Sequence, residues 1–488
     1  MLTRRHFIGL AGAAAGAVVL RSHGSSVAAP APAATQATLG ELPPESATTV
    51  VHDFTYVAAE RPNALPCFGG RTAPIWTLSA ETPLPVIRIR RGDTIAAHLR
   101  NDLKGQDVTI HWHGLRIPNR EDGVPNLTQA PVPFGASFDY RFRPPDAGTF
   151  FFHTHCNTAE QLGRGLMGVL IVEGDESRPF DDEHILVLRD WSIDENGRFL
   201  PFVTNEAARS GTFGNIRSTN NEIAPTYDVP AGADIRLRIL NVDRTRIMMA
   251  GIEGAEAFVI AIDGNAVEPF PLKTWQMGPA MRIDVAMRSP ADGKVARLVD
   301  YFAPEPVPLA HFAAHGADRR TGALAPAPLI ASPIPVPDLD TAEKLPFTFS
   351  QATDNSVAPT GPADGRFIDD LCTSKTVYWA INKQSWPMGD HLHVPPPLAT
   401  LTRGKSYVFE LINVTPHMHP IHFHGHTWKV LKSNKRKHLP VHHADTVLLL
   451  PNERVQVAFV ADNPGDWMFH CHIIEHQETG MMGYVRVT

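Results

Sequence analysis

Apolar and polar positions alternate with period two over much of the chain. In "PAGADIRLRILN" the residues Ile235, Leu237 and Ile239 fall on every second position, the signature of a strand with one buried face. The same outline occurs twice more. "RRGDTIAAHLRN" runs from a turn glycine, Gly92, to Asn101, "TRGKSYVFELIN" from Gly404 to Asn413, and the middle copy from Gly232 to Asn241, the two markers nine positions apart each time. A second set of matches links the two ends of the chain. "GTFFFHTH" (148–155) parallels "GDWMFHCH" (465–472), and "GLMGVLIV" from Gly165 parallels "GMMGYVRV" from Gly480. A unit repeated at this spacing is one supersecondary building block used several times. The pattern predicts an all-β chain of three homologous Greek-key β-sandwich domains, at 45–176, 182–335 and 345–488, with the Pro-rich stretch 325–337 leading into the third.

Composition supports this picture and narrows the function. At 488 residues the chain is too long for one core, and length alone suggests about three domains. The 43 prolines and 36 glycines favour strands and turns over long helices. A net charge of −7 argues against a general nucleic-acid binder. Four cysteines, Cys67, Cys156, Cys372 and Cys471, are too few for a disulfide scaffold. With Cys471 set aside as a ligand, one internal bridge at most remains among the other three, and the sequence does not say which. The N-terminus "TRRHFIGLAGAAAGAVVL" pairs Arg4 and Arg5 ahead of a small-residue apolar run ending at Arg21. It resembles a twin-arginine export signal, with 1–34 as signal and linker, and predicts a periplasmic or secreted protein with no membrane anchor after removal.

The chemistry lies in the histidines. "HWHG" holds His111 and His113, "HTH" holds His153 and His155, "HPIHFHG" holds His419, His422 and His424, and "HCHIIEHQETGMMG" holds His470, Cys471, His472, His476 and Met481. All four clusters fall in the first and third units; between His184 and His311 the middle unit has no histidine. On a strand, residues two apart share a face and residues an odd number apart do not. His111/His113, His153/His155, His422/His424 and His470/His472 are therefore four same-face pairs. His419 and Cys471 have the opposite parity and face away from them. Parity alone predicts an eight-histidine site and a separate Cys/His site. Two histidines, a thiolate and a weak methionine form the trigonal arrangement preferred by copper. Structural zinc closes with four ligands and has no use for ten histidines.

These four motifs together resemble the set that defines the multicopper oxidases, over the chain from about residue 50 to its end. The resemblance implies three cupredoxin-like domains, the middle one a copper-free spacer and the third carrying the type 1 copper. It implies four copper ions, with substrate oxidised one electron at a time at the type 1 ion and dioxygen reduced to water at a trinuclear cluster. Carried over by position, His419, Cys471 and His476 become type 1 ligands with Met481 axial; Met482 is the alternative, matching Met167 of the first unit. His111 and His422 match the type 2 ligands. His113, His153 and His472 match one type 3 copper, and His155, His424 and His470 the other. Cys471, His470 and His472 would then carry electrons between the two centres. The first unit has Thr154 and Val108 where the third has Cys471 and His419, so it keeps no type 1 site.

Asp122 matches an acidic residue near the type 2 copper in the family, and a carboxylate there relays protons. The second family acid usually follows the type 1 histidine, where this chain has Gln477. An amide does not relay by ionising, so Asp122, with Glu478 or water, is expected to carry more of that task. Copper-efflux members have a methionine-rich insertion, whereas only Met388 and Met418 lie between Asn382 and His419 here. A laccase-like oxidase of phenols or aromatic amines is therefore the first expectation. A periplasmic cuprous or other metal-ion oxidase is the alternative, and a copper-less scaffold is disfavoured. His391, His393, His417, His442 and His443 are expected to be surface residues.

Overall fold

The computed structural model describes residues 49–174, 180–352, 377–387 and 394–488. The expected export signal, Cys372, Met388, His391 and His393 lie outside these residues. Six sheets fall into three consecutive pairs. The first pair comprises a sheet of Ala73–Thr77, Val51–Asn63, Thr94–Asn101 and Ser137–Phe142, and another of Val86–Arg90, Met167–Glu173, Gly148–His153 and His111–His113. The middle pair has six and five strands between Asp182 and His315. The third repeats that six-and-five arrangement between Glu343 and Val487. Each pair closes over its own apolar cluster drawn from both of its sheets, as in a β-sandwich whose inner faces interdigitate. The chain is thus all-β and cupredoxin-like. No helix among the described residues is long and apolar enough to cross a membrane.

The threefold sequence repeat has a single structural cause. Each copy is a strand that pairs in parallel with the first strand of its own sandwich: Val51 with Thr94, Ile235 with Asp182, and Glu343 with Tyr407. A parallel partner requires a crossover rather than a hairpin. The repeated glycines Gly92, Gly232 and Gly404 open the strand at φ +95°, +60° and +80°, a region that favours glycine. The repeated asparagines close it. Asn101, Asn241 and Asn413 are buried, and each amide donates to two carbonyls of the following loops. These are Gln106 and Val132, Arg246 and Met277, and His417 and Leu450. Each side-chain oxygen also accepts the N–H two residues on. One buried amide thus satisfies backbone groups that a sandwich corner would otherwise leave unpaired.

The sandwiches also pack against one another where the ligand strands lie. One apolar cluster joins Phe151, Val169 and Ile171 of the first pair to Leu240, Val242 and Ala280 of the middle pair and Ile474 of the third. Cys67 and Cys156 are buried free thiols, so neither forms the bridge that the sequence left open.

Candidate metal centre

Two short antiparallel strand pairs carry most of the site. His111–His113 pairs with Gly148–His153, placing His111 opposite His153. His419–Phe423 pairs with Gly465–Cys471, placing His422 opposite His470. His155, His424 and His472 lie just beyond the strand ends, yet their rings still turn to the side that parity predicts. All eight imidazoles are buried, none more than 3% exposed. His155, His424 and His470 bring their nitrogens within 4.8 Å of one another, as do His111, His422 and His424, and His111, His113 and His153. The His472 ring lies 5.1 Å from that of His113 and 5.3 Å from that of His153. Four rings come from the first sandwich and four from the third.

The hydrogen bonds divide six of the eight rings into a held nitrogen and a free one. Nδ1–H of His111, His153, His422 and His470 donates to the carbonyls of Asp122, Thr154, Asp445 and Cys471 at 2.8–2.9 Å. His424 Nδ1–H donates to Asp122 Oδ2 at 2.9 Å, and His113 Nε2–H to Asp445 Oδ1 at 3.1 Å. The opposite nitrogens, Nε2 of His111, His153 and His422 and Nδ1 of His113, are buried without a protein partner, as are Nε2 of His155 and both nitrogens of His472. His424 Nε2 and His470 Nε2 face each other at 3.0 Å, although the proton of each ring is already committed to Nδ1. Two lone pairs at that distance repel unless a cation lies between them. A buried polar atom left unpaired costs about 1–3 kcal/mol, so this cluster makes physical sense as a metal cradle with its outer partners already in place. The donor set fits copper.

A second donor set stands apart from the first. His419 Nδ1 and His476 Nδ1 lie 3.1 Å apart, each 3.6 Å from Cys471 Sγ. Their far nitrogens are occupied: His419 Nε2–H by Thr415 Oγ1 at 2.8 Å, and His476 Nε2–H by the Arg209 carbonyl at 3.3 Å. Both lone pairs therefore converge on the sulfur in the trigonal pattern of blue-copper sites, two imidazole nitrogens and one thiolate. Met481 packs in the same apolar cluster as Cys471, and its carbonyl accepts the Cys471 N–H. Met482 packs in a different cluster, with Val124, Trp386 and Met468, which favours Met481 as the nearer thioether. In the first sandwich the Thr154 hydroxyl donates to Gln161 and Val108 bridges Val132, so no such set exists there.

Electrostatics prepare both sets for a cation. Burial, reinforced by the neighbouring imidazoles, holds His113, His153, His155, His419, His424, His470 and His472 well below the usual histidine range. His476 is pushed down to about 3 by burial. Each is thus neutral near pH 7, the form that ligates. Burial pushes the Cys471 thiol up, so a metal must supply the drive to remove its proton.

Sequence reasoning found Asp122 but missed its counterpart. Asp122 holds His111 of its own sandwich through its carbonyl and reaches His424 of the third sandwich through its carboxylate. Asp445 does the reverse, holding His422 through its carbonyl and His113 of the first sandwich through its carboxylate. The duplication is visible in the ligand motifs, but Asp122 follows His111 by 11 residues and Asp445 follows His422 by 23, so spacing concealed it. The middle sandwich is also more than a spacer. Arg282, fully buried, grips Asp445 with both terminal nitrogens at 2.8 and 2.7 Å. Gln477 is buried with its Oε1 unpartnered, and Glu478 Oε1 accepts the Ala159 N–H at 2.8 Å. His442, expected at the surface, is instead buried beneath Trp275 and donates to the Pro440 carbonyl. His443 and His417 are half-buried.

Comparisons with known proteins agree with this geometry. Three family models, each described as multicopper oxidase, match residues 63–177, 186–295 and 371–488. The crystal structure of a multi-copper oxidase from Pseudomonas thermotolerans superposes with a TM-score of 0.80 at 40% identity, covering 90% of this chain and 100% of that one. A laccase of Cryphonectria parasitica is 26% identical over 494 residues, 89% of this chain and 82% of the relative. The iron transport multicopper oxidase FET3 of Gibberella zeae is 25% identical over 461 residues, 84% and 72% of the two chains.

Proposed function

The chain belongs to the multicopper oxidase family, and from that premise we propose that it couples one-electron oxidation of small phenols or aromatic amines to four-electron reduction of dioxygen to water. In this reading His419, Cys471, His476 and Met481 hold a type 1 copper, His111 and His422 a type 2 copper, and the remaining six imidazoles the type 3 pair. When bound, those four ions supply the redox chemistry. The observation that carries the reading is the run His470–Cys471–His472: its sulfur belongs to the Cys/His set and both neighbours belong to the eight-histidine set.

The chain's own residues do the rest. Asp122 and Asp445 fix ring tautomers across the junction between the first and third sandwiches. Asp122, buried against two of those rings, is positioned to hold and pass a proton. A buried aromatic side chain packs against the Cys/His set. The Trp379 ring lies 4.7 Å from His476 and 5.1 Å from His419, its indole N–H fixed by the Ala208 carbonyl at 2.6 Å. Tyr378 sits beside it under the exposed Arg209 guanidinium, 5.9 Å away. Half-buried Tyr378, and not the fully buried Trp379 behind it, offers stacking surface to an aromatic donor. Met418 packs against the middle core rather than offering a thioether to a soft metal ion. A metal-ion oxidase is the second reading, favoured by the similarity to the iron transport oxidase. The N-terminal arginine pair supports export through the twin-arginine route, which sizing of the exported chain tests.

Copper analysis and an absorption spectrum of the purified protein, followed by oxygen uptake with 2,6-dimethoxyphenol, Cu(I) and Fe(II), test the proposal. About four coppers, a blue band and phenol turnover are expected. Metal-ion rates tenfold above the phenol rate would replace the first reading with the second, and a colourless protein after reconstitution would remove both.

A further inference from the structure

We propose that Arg282, although it lies on the middle sandwich that contributes no ligand, is a positioning residue of the eight-histidine site, acting through Asp445 on His113 and His422. The inference rests on the copper reading of that site. Arg282 begins the strand Arg282–Arg288 and touches all three sandwiches. Its Nε donates to the Thr149 carbonyl at 3.1 Å, on the strand that ends at His153. Its Nη1 also donates to the Ala280 carbonyl and lies 3.4 Å from Asp263 in the middle sandwich. Its two terminal nitrogens form a fork on Asp445 of the third. Asp263 in turn accepts the backbone N–H groups of Arg282 and Thr446, which ties the loop bearing Asp445 to the same anchor.

The fork has a chemical consequence for the ligands. A carboxylate clamped by two parallel N–H groups has a fixed plane, so Asp445 Oδ1 can be aimed at one ring nitrogen. That nitrogen is His113 Nε2. Holding it as the donor leaves Nδ1 as the free lone pair, whereas the other five rings of the eight-histidine set with a clear outer partner are held at Nδ1, with Nε2 turned inward. His113 is the exception, and Asp445 is what makes it one. The Asp445 carbonyl, on the same residue, sets the His422 tautomer. Among the described residues Asp122, which plays the matching part on the other side, pairs only with histidines; the cation is a feature of the Asp445 side alone. Lysine carries the same charge without the fork, so the proposal predicts that charge by itself is insufficient.

The experiment compares Arg282→Lys and Asp445→Asn with the wild-type protein. Copper retained against a graded chelator is read separately for the blue Cys/His site, by its absorption, and for the remainder, by total copper. Loss of an outer partner of this kind typically weakens metal binding 10–100-fold. Both variants are expected to release the non-blue copper at about 10–100-fold lower chelator while the blue band persists. Nitrogen-15 spectra of the copper-free protein supply a metal-independent readout: His113 is expected as the Nε2–H tautomer in wild type and as a mixture in both variants. Unchanged chelator curves, or blue and non-blue copper lost in parallel with a fall in melting temperature, would overturn the proposal in favour of a purely structural Arg282. If Arg282→Lys does not fold, the same two readouts on Asp445→Asn decide. A wild-type protein that takes up no copper sinks the copper reading and leaves the tautomer spectra to judge this one.

Discussion

Gly114, directly after His113, supplies a sharp test of how closely the Arg282–Asp445 fork is built into the ligand strands. Its φ is +85°, and a Cβ added there would stand 2.5 Å from Asp445 Oδ2 and 2.6 Å from Arg282 Nη2. Those two atoms are themselves paired at 2.7 Å, so the methyl group would meet both members of one ion pair. Gly114→Ala carries left-handed strain of about 1–2 kcal/mol, offset by about 0.4–1 kcal/mol of reduced freedom in the unfolded chain. To open the contact to an ordinary van der Waals distance, one arm of the fork must break. A hydrogen bond to a charged group contributes about 1.5–3 kcal/mol. The expected total is therefore about 2–4 kcal/mol. Gly105 is the control, since its φ of +73° imposes similar strain but nothing lies within 4 Å of the new methyl; Gly105→Ala is expected to cost about 1 kcal/mol or less. Urea unfolding of both copper-free variants gives the difference. If they fall within about 0.5 kcal/mol of each other, a spread that unrelated surface changes also show, the turn after His113 does not press on the fork and the packing argument is wrong.

Cys471→Ser removes the thiolate and is expected to abolish the blue band and turnover while the eight-histidine set retains about three coppers; loss of all copper would show that the two sets are not separate. Asp122→Asn keeps shape without a proton to give, and oxygen reduction by the prereduced enzyme is expected to slow by about 10², while reduction of the blue band by substrate stays within twofold. Gln477→Glu places a carboxyl at the buried amide and is expected to raise the oxygen-reduction rate and alter its pH profile; an unchanged profile counts against the idea that this position limits proton supply. Acid stability follows from burial of neutral rings. In the copper-free protein His426, His442 and His476 are pushed down to about 3, 4 and 3 by burial, against about 6.5 in the unfolded chain. Between pH 6 and 4 the unfolded state binds protons that the folded state refuses, so stability falls as pH falls. The loss is about 1.4 kcal/mol per ring per pH unit, or about 4 kcal/mol for the three. Copper loading is expected to move the acid midpoint lower, and a flat stability profile from pH 6 to 4 would falsify the burial argument.

Much of the architecture was legible because it is periodic. Alternation identifies the strands, the Gly-to-Asn spacing identifies three copies, and parity separates Cys471 and His419 from the four histidine pairs. What stayed hidden depends on contacts distant in sequence. Asp445 and His113 are 332 residues apart, and Arg282 and Asp445 are 163 apart; neither pair has a motif, because a carboxylate or guanidinium acts wherever the fold delivers it. The choice of ring nitrogen was likewise invisible, being set by hydrogen bonds to loop carbonyls. Burial of His442 was missed because the facing Trp275 lies on another sandwich. The Arg209 carbonyl over His476 could not be read at all, since a backbone group has no sequence identity.

Successive residues on one peptide segment, His470, Cys471 and His472, serve two different donor sets, so the gap between those sets is fixed by bond lengths and not by docking. Breathing of the sandwiches can loosen the eight-ring cluster, which straddles two of them, but it cannot lengthen the bridge. Mild denaturant should therefore leave the internal transfer rate almost untouched while progressively weakening the cluster's hold on metal, as though a rigid wire entered a hinged box.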